Sequence, residues 1–338
     1  MNSMKRLRIA GLLCAALLVF VMSGAAQTKD DVVNAYNAGV QAYKANDFAK
    51  AVSSFQQVID LGTKLGGADL DTLRMKSEKI VPNLQLKLAV SVYQNKASSS
   101  ADIIDAFQKA KDLADKYHDA GTSAQVAGIM PKIYSSMASA AFKANDLPGA
   151  LANFDKIIAL DPNNTSAYFN KAVIYKKQNA FDPMLQTLTK TIEIATKTSD
   201  TATIRKSKQM LFTEYMNLAT AAYLKADFKG TITPLEEALK YDDKDAQAYY
   251  ILADTRNKMK EYDAALEAVT KGLQYENPAN KELVARFYLQ QGVAYAAKGD
   301  KEKAVASFKL ASVGKYAVPA AAYIKGLTAK PTTAPVKK

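Results

Sequence analysis

Few side chains in this chain could do acid–base or nucleophilic chemistry. It holds one histidine, His118, in the stretch "KYHDAG", and one cysteine, Cys14, within an apolar run. Proton transfer and covalent attack need cooperating groups held close together. A soft metal site needs several histidine or cysteine ligands, and none can join His118. We interpret His118 as a surface residue near a helix end, where its cationic form is mildly favoured.

The carboxylates and glycines indicate no site either. The densest acidic run, "DDKD" at 242–245, lacks the spaced ligands and central glycine of a calcium loop. Neither G-x-G-x-x-G nor G-x-x-x-x-G-K-[ST] occurs, so no nucleotide-binding fingerprint is present. We predict a protein that is not an enzyme, with no catalytic residues, no metal site and no cofactor. An enzyme built from scattered carboxylates is the least favoured alternative.

The remaining candidates for binding are aromatic residues and lysines inside a repeated ten-residue pattern. The three clearest copies are "AYKANDFAKA" at 42–51, "AFKANDLPGA" at 141–150 and "AYLKADFKGT" at 222–231. Aromatic rings beside ammonium groups suit an extended peptide with apolar and acidic side chains. Where these rings lie depends on the elements that the repeat forms.

The repeat predicts paired helices. We call the last residue of each stretch its anchor; the anchors are Ala51, Ala150 and Thr231, with further ones at Met184, Ala265 and Ala304 and a weaker one at Ile103. Twelve residues before each anchor stands a small residue: Gly39, Ser91, Ala138, Ala172, Ala219, Ala253 and Gly292. A small side chain there lets an antiparallel helix approach closely, and a larger residue on that helix fills the space.

The turns and the spacing between anchors extend this prediction. Asp47, Asp146, Asp227 and Asp300 stand where a second helix should begin, and a carboxylate there caps free backbone N–H groups. Segments such as "TKTSDTATIRKSKQ" add residues between anchors, which predicts lengthened first helices. Pro82 and Pro131 fall near the starts of first helices or kink longer ones.

Two anchor spacings equal 34 residues, the period of the tetratricopeptide repeat. Residues 167–195 show the pattern best, with Tyr168, Ala172 and Tyr175 followed by Met184 and Leu188. The chain resembles a tetratricopeptide repeat protein of an exported bacterial type. The resemblance implies an all-α fold, an α-solenoid of stacked antiparallel helix pairs wound into a right-handed superhelix. We expect about seven hairpins over 27–316, then a short helix and a disordered tail rich in proline and lysine over 317–338.

The resemblance also implies a concave groove lined by first-helix positions fifteen, eleven, eight and seven before the anchor. The aromatic residues at these positions are Tyr36, Tyr43, Phe142, Phe169, Tyr223 and Tyr250, and the lysines are Lys44, Lys96, Lys143, Lys177 and Lys258. We predict a scaffold that binds a protein or peptide, acidic in character, and no nucleic acid. The alternatives stay open: an aromatic residue on a packed helix is more often core, and a lysine in a last helical turn is more often solvated.

Some relatives clamp a chaperone C-terminal carboxylate with a lysine and an asparagine fifteen and eleven before the anchor. In this chain those two positions hold, for example, Tyr36 and Val40, or Ser135 and Ser139. No repeat has a lysine and an asparagine there. We therefore reject a chaperone clamp.

The first 26 residues have the pattern of a secretory signal peptide. Basic "MNSMKRLR" precedes the 14 apolar residues "IAGLLCAALLVFVM", and "SGAA" ends before Gln27. A spanning helix needs about 20 apolar residues. We expect export, with a periplasmic or secreted product that has no stable membrane insertion after cleavage; a retained anchor is the alternative.

The charge favours anionic partners. Loss of Lys5, Arg6 and Arg8 leaves 42 basic and 33 acidic residues, a net charge of +9. Such an excess attracts acidic proteins or anionic surfaces. The alternative function is therefore a basic accessory protein that binds an anionic cell-envelope polymer, with affinity that falls steeply with salt.

Overall fold

The computed structural model describes residues 27–329. The predicted signal peptide over 1–26 and residues 330–338 of the predicted tail lie outside this range. The described residues form α-helices and one short 3₁₀ turn at Gly314–Tyr316, with no strand among them. The all-α prediction is confirmed. The chain divides into two compact units, Met1–Met137 and Ala138–Lys338, and each is described by itself.

The first unit consists of helices that pack on their neighbours in sequence. In chain order they are α1 (Lys29–Lys44), α2 (Phe48–Leu65), α3 (Ala68–Gln94), α4 (Ser100–Lys116) and most of α5 (Ala120–Lys143). Phe55 of α2 and Leu84 of α3 lie in one small core cluster, while Val32 of α1 and Val58 of α2 lie in another. The core is therefore distributed along the stack, as in repeat proteins whose contacts are local.

The second unit continues the same scheme. Its helices are α6 (Leu147–Leu160), α7 (Thr165–Lys177), α8 (Phe181–Lys197), α9 (Thr201–Leu224), α10 (Phe228–Tyr241), α11 (Ala246–Lys258), α12 (Tyr262–Tyr275), α13 (Lys281–Ala297), α14 (Lys301–Ala311) and α15 (Ala317–Thr328). Three successive core clusters follow one another along this unit. The first contains Leu188 and Leu211, the second Leu235 and Ile251, and the third Phe287. The predicted stacking of antiparallel helix pairs is confirmed.

The small residues of the repeat lie where helices meet. Gly39, Ala138, Ala172, Ala219, Ala253 and Gly292 are all buried. A Cβ atom on Gly292 would lie 2.5 Å from the Phe308 ring, so this position excludes any larger residue. Ser91 is the exception, because it is exposed while Ala89 is fully buried. The turn after α3 spans residues 95–99, which shifts the register of this weaker repeat.

Three-residue turns join the helices of six pairs, and their middle residues adopt positive φ. These residues are Asn46, Asn145, Asn179, Ala226, Lys260 and Gly299. A positive φ costs roughly 1–2 kcal/mol for most residues and little for glycine. The next residue caps the second helix: the Asp47 carboxylate accepts a hydrogen bond from the Lys50 N–H at 3.0 Å, and Asp146, Asp227 and Asp300 do the same in their turns. The capping prediction is confirmed.

Three first helices are longer than the others, as the anchor spacing predicted. Helices α3, α5 and α9 have 27, 24 and 24 residues, whereas α7 and α11 have 13 each. Pro82 and Pro131 lie inside α3 and α5. Within residues 27–329, no helix combines the length and the apolar composition that a membrane crossing requires.

Candidate protein-binding groove

Aromatic residues and lysines of successive first helices meet at the helix ends. In the second unit, the Lys177 Nζ atom at the end of α7 lies 4.6 Å from the ring centroid of Phe142 near the end of α5. The Lys258 Nζ atom of α11 lies 4.6 Å from the Tyr223 ring of α9 and 5.1 Å from the Phe228 ring. Each exposed cation–π contact stabilises by about 0.5–1 kcal/mol. The structure thus brings four of the predicted residues together as two pairs.

The first unit has the same arrangement with a different lysine. The Lys87 Nζ atom of α3 lies 4.9 Å from the ring centroid of Tyr43 and 5.7 Å from that of Phe48. It also lies 3.3 Å from the Tyr43 hydroxyl. Lys96 lies in the exposed turn after α3 instead, and not in a last helical turn. Counting from the weak anchor Ile103 misplaced this lysine, because the turn has five residues.

The aromatic residues fifteen before their anchors, Tyr36, Phe169 and Tyr250, are half-buried and pack on the core. The Tyr36 ring stands edge-on to Phe55, with centroids 5.5 Å apart. Phe169 packs beside the cluster that contains Leu188. Tyr250 lies edge-on to Phe287 at 5.9 Å, and burial raises the pKa of its hydroxyl to about 12. These three rings therefore contribute to packing within the stack, and their role in partner binding stays a prediction.

Two small clefts open between successive first helices of the second unit. The first, about 180 Å³, lies between the end of α5 and α7 and is lined by Phe142, Lys143, Asn170 and Val173, among others. The second, about 240 Å³, lies between the α7–α8 turn and α9; its lining includes Glu214. Both are smaller than the ~300–1,000 Å³ of small-molecule pockets. They have room for single side chains of a bound segment.

Asp254 joins three consecutive first helices through a polar network. Its carboxylate, 9% exposed, accepts hydrogen bonds from the Tyr223 hydroxyl of α9 and from the Gln290 amide of α13, the latter at 3.0 Å. The Lys258 Nζ atom lies 2.7 Å from the same carboxylate, and Asn257 donates to the Gln290 side-chain oxygen at 2.9 Å. These hydrogen bonds link the three helices, although the buried Oδ1 atom of Asn257 has no hydrogen-bond partner.

The network changes the titration of its members. Burial, together with the hydrogen bond to Asp254, raises the pKa of the Tyr223 hydroxyl. Burial lowers the pKa of the Lys258 ammonium, but hydrogen bonds to Asp254 and Tyr223 outweigh it, and the net pKa is raised. Lys258 therefore stays charged and is already paired with a carboxylate. Sequence reasoning missed Gln290 and the role of Asp254, because isolated polar residues on helices carry no repeat signal.

The other predicted residues lie at exposed helix ends. Lys44 and Lys143 are the last residues of α1 and α5, and both are exposed. Among residues 27–329, no group of three or more histidine, cysteine, aspartate or glutamate side chains is placed to hold a metal ion. A role in partner binding stays a prediction for the whole predicted set, from Tyr36 to Lys258.

Comparison with protein families and curated proteins agrees with the repeat. Family models described as tetratricopeptide repeat match residues 153–184, 246–277 and 285–312. A similar curated protein is stress-induced-phosphoprotein 1 of Caenorhabditis elegans, 27% identical over 164 residues. The match covers 48% of this chain and 45% of that protein, so this chain spans less than half the length of the relative.

Solved structures of repeat proteins also align with the chain. MamA is 24% identical, with 58% of this chain and 96% of that chain covered and a TM-score of 0.32. The TPR2AB domain of yeast Sti1, in complex with pHSP90, is 14% identical, with 89% and 98% covered and a TM-score of 0.31.

Proposed function

The chain is a tetratricopeptide repeat protein, and we propose that it is a non-enzymatic scaffold that binds an extended protein segment across the ends of the first helices of its second unit. The observation that carries this proposal is the recurrence, within the second unit, of a lysine over an aromatic ring of the preceding first helix. Recurrent rings and cations on one set of helix ends suit an extended peptide with apolar and acidic side chains.

The end of α5 is the most favourable part of this surface. Phe142 and Lys143 line the smaller cleft there, and Lys177 stands over the Phe142 ring. Within residues 27–329, no carboxylate pairs with Lys177, whereas Lys258 is paired with Asp254. An acidic side chain of a ligand therefore gains more from Lys177, because its charge is not already neutralised. An apolar side chain of the same ligand fills the cleft beside Phe142.

We expect Phe142→Ala and Lys177→Gln each to weaken peptide binding by about tenfold, the loss of one hot-spot contact. The probe is the tightest acidic peptide selected from a random peptide library on the wild-type protein. Fluorescence anisotropy measures its Kd, and circular dichroism checks that helicity is retained.

The matched control is Lys190→Gln, an equal charge change on the second helix α8, where Lys190 pairs with Glu193. The Kd of the control should equal that of the wild type. A Kd unchanged by both groove substitutions, or a library that enriches no peptide, contradicts the proposed groove.

We also propose that the protein is exported from a bacterial cell and works in the periplasm or outside the cell. The support is the sequence pattern of residues 1–26. Mass spectrometry of protein purified from fractionated cells should find Gln27 at the amino terminus of the periplasmic or secreted product. Leu17→Arg interrupts the apolar run and should keep the precursor in the cytoplasm. Wild-type protein that starts at Met1 in the cytoplasmic fraction contradicts export.

A further inference from the structure

A third cleft lies along the amino-terminal half of α9, away from the predicted groove. Its volume is about 630 Å³, and its lining includes Ile204, Arg205, Lys208 and Phe212 of α9 and Tyr241 at the end of α10. None of these residues belongs to the groove set. A cleft of this size is within the ~300–1,000 Å³ range of binding sites.

The cleft exists because α9 has 24 residues and α11 has only 13. Tyr223 contacts Asp254 and Lys258, which follow it by 31 and 35 residues. The same offsets place Ala246, the first residue of α11, level with residues 211 to 215 of α9. The ten or so residues of α9 before that level therefore have no part of α11 beside them.

The uncovered surface continues the face of α9 on which α11 packs. Arg205, Phe212 and Ala219 recur at intervals of seven residues, so they lie on one face of the helix. Ala219 is fully buried in a cluster with Ala248 and Ile251 of α11. At 1.5 Å per residue, the uncovered length is about 15 Å, or three helical turns. The gap has the length and position of a missing stretch of helix.

The lining combines apolar surface with positive charge. Ile204, Phe212 and Tyr241 are half-buried, and Arg205 and Lys208 are exposed. In the part of the chain that the structure describes, neither cation takes part in an ion pair. One carboxylate, Asp242, stands at the edge of the cleft and accepts a hydrogen bond from the Lys244 N–H.

We propose that this cleft docks an amphipathic α-helix of a partner protein, about three turns long and acidic along one side. Its apolar side would cover Phe212 and Tyr241 as α11 covers Ala219, and its carboxylates would pair with Arg205 and Lys208. The carboxy-terminal segment "KPTTAPVKK" does not fit, because it is basic and contains proline. An anionic polymer would leave the apolar part of the cleft uncovered. The proposal does not depend on the groove.

The test uses a synthetic stapled helix of about 11 residues, roughly 16 Å long, with leucines on one face and glutamates beside them. We expect it to bind the wild-type protein, and Arg205→Glu/Lys208→Glu to weaken binding by at least about tenfold, because two attractive charges become repulsive. Lys206→Glu/Lys229→Glu changes the net charge equally at exposed positions that do not line the cleft. The Kd of the stapled helix for this control variant should stay within about threefold of the wild-type value. Phe142→Ala should leave this Kd unchanged, which separates the cleft from the proposed groove.

Several results would overturn the proposal. If the control variant loses as much affinity for the glutamate peptide, binding responds to net charge alone. If a matched lysine peptide binds as tightly, Arg205 and Lys208 do not select an acidic helix. If the glutamate peptide shows no binding at concentrations up to ~100 µM, the cleft does not dock an acidic helix. Inorganic polyphosphate that binds as tightly, with the same dependence on Arg205 and Lys208, would indicate an anion site. A dimer that dissociates in the Arg205→Glu/Lys208→Glu variant would make the occupant a second copy of the chain.

Discussion

Replacing Phe287 with alanine is expected to lower the free energy of unfolding by about 3–5 kcal/mol, because it leaves a cavity that the surroundings fill only in part. Phe287 is fully buried in a cluster with Tyr249, Ala253 and Val269. Its ring occupies the space beside Gly272, where a Cβ atom would clash with it. Urea unfolding followed by circular dichroism measures the change.

The matched control is Leu224→Ala at the end of α9, where the side chain is 78% exposed. A surface substitution of this kind should change stability by no more than about 0.5 kcal/mol. Because contacts in a repeat stack are local, hydrogen exchange should show the loss of protection mainly in α11, α12 and α13. A Phe287→Ala effect as small as that of the control would contradict the assignment of Phe287 to the core.

Removing the Glu276 carboxylate should lower the free energy of unfolding by nearly as much as Phe287→Ala. The side chains of Arg286 and Glu276 are 8% and 7% exposed, and Nη2 of Arg286 lies 2.7 Å from the carboxylate. The guanidinium also lies 4.7 Å from the ring centroid of Tyr250. Glu276→Ala leaves this cation buried without its counter-charge, which costs about 3–5 kcal/mol. Chemical denaturation at low and high salt measures the loss, and salt should change it little because the pair is shielded from solvent.

The exposed pair of Lys298 and Asp263 provides the comparison, since the Asp263 side chain is 82% exposed. Asp263→Ala should cost no more than about 1 kcal/mol. The double variant Glu276→Leu/Arg286→Met should regain part of the stability lost in Glu276→Ala, because it removes both charges from the interior. A Glu276→Ala effect equal to that of Asp263→Ala would show that the pair contributes little to the fold.

The fold could be predicted because the repeat is a local pattern. Ala172 and Met184, or Gly292 and Phe308, belong to one helix pair joined by a three-residue turn, so their sequence spacing sets their distance in space. The caps at Asp47 and Asp146 follow from the same local geometry. The turn over residues 95–99 is longer than three residues. Spacing counted back from Ile103 therefore assigned Ser91 and Lys96 to the wrong positions.

The candidate site could be predicted only in part, because it depends on contacts between different pairs. The repeat identified Phe142, Lys177, Tyr223 and Lys258 as candidates, but not that each lysine stands over a ring of the preceding first helix. Lys87 carried no signal, since it lies far from its anchor along the long helix α3. Asp254 and Gln290 are 36 residues apart and meet only through stacking.

By itself, the amino-acid sequence determined the helices, their pairing within each repeat and the small residues at which they touch, because helical periodicity and short turns act over a few residues. Only the tertiary structure decided which first-helix residues face each other across repeats, and that the start of α9 is left without α11 beside it. The register between successive first helices depends on their lengths and on many packing contacts together, and no single spacing in the sequence encodes it.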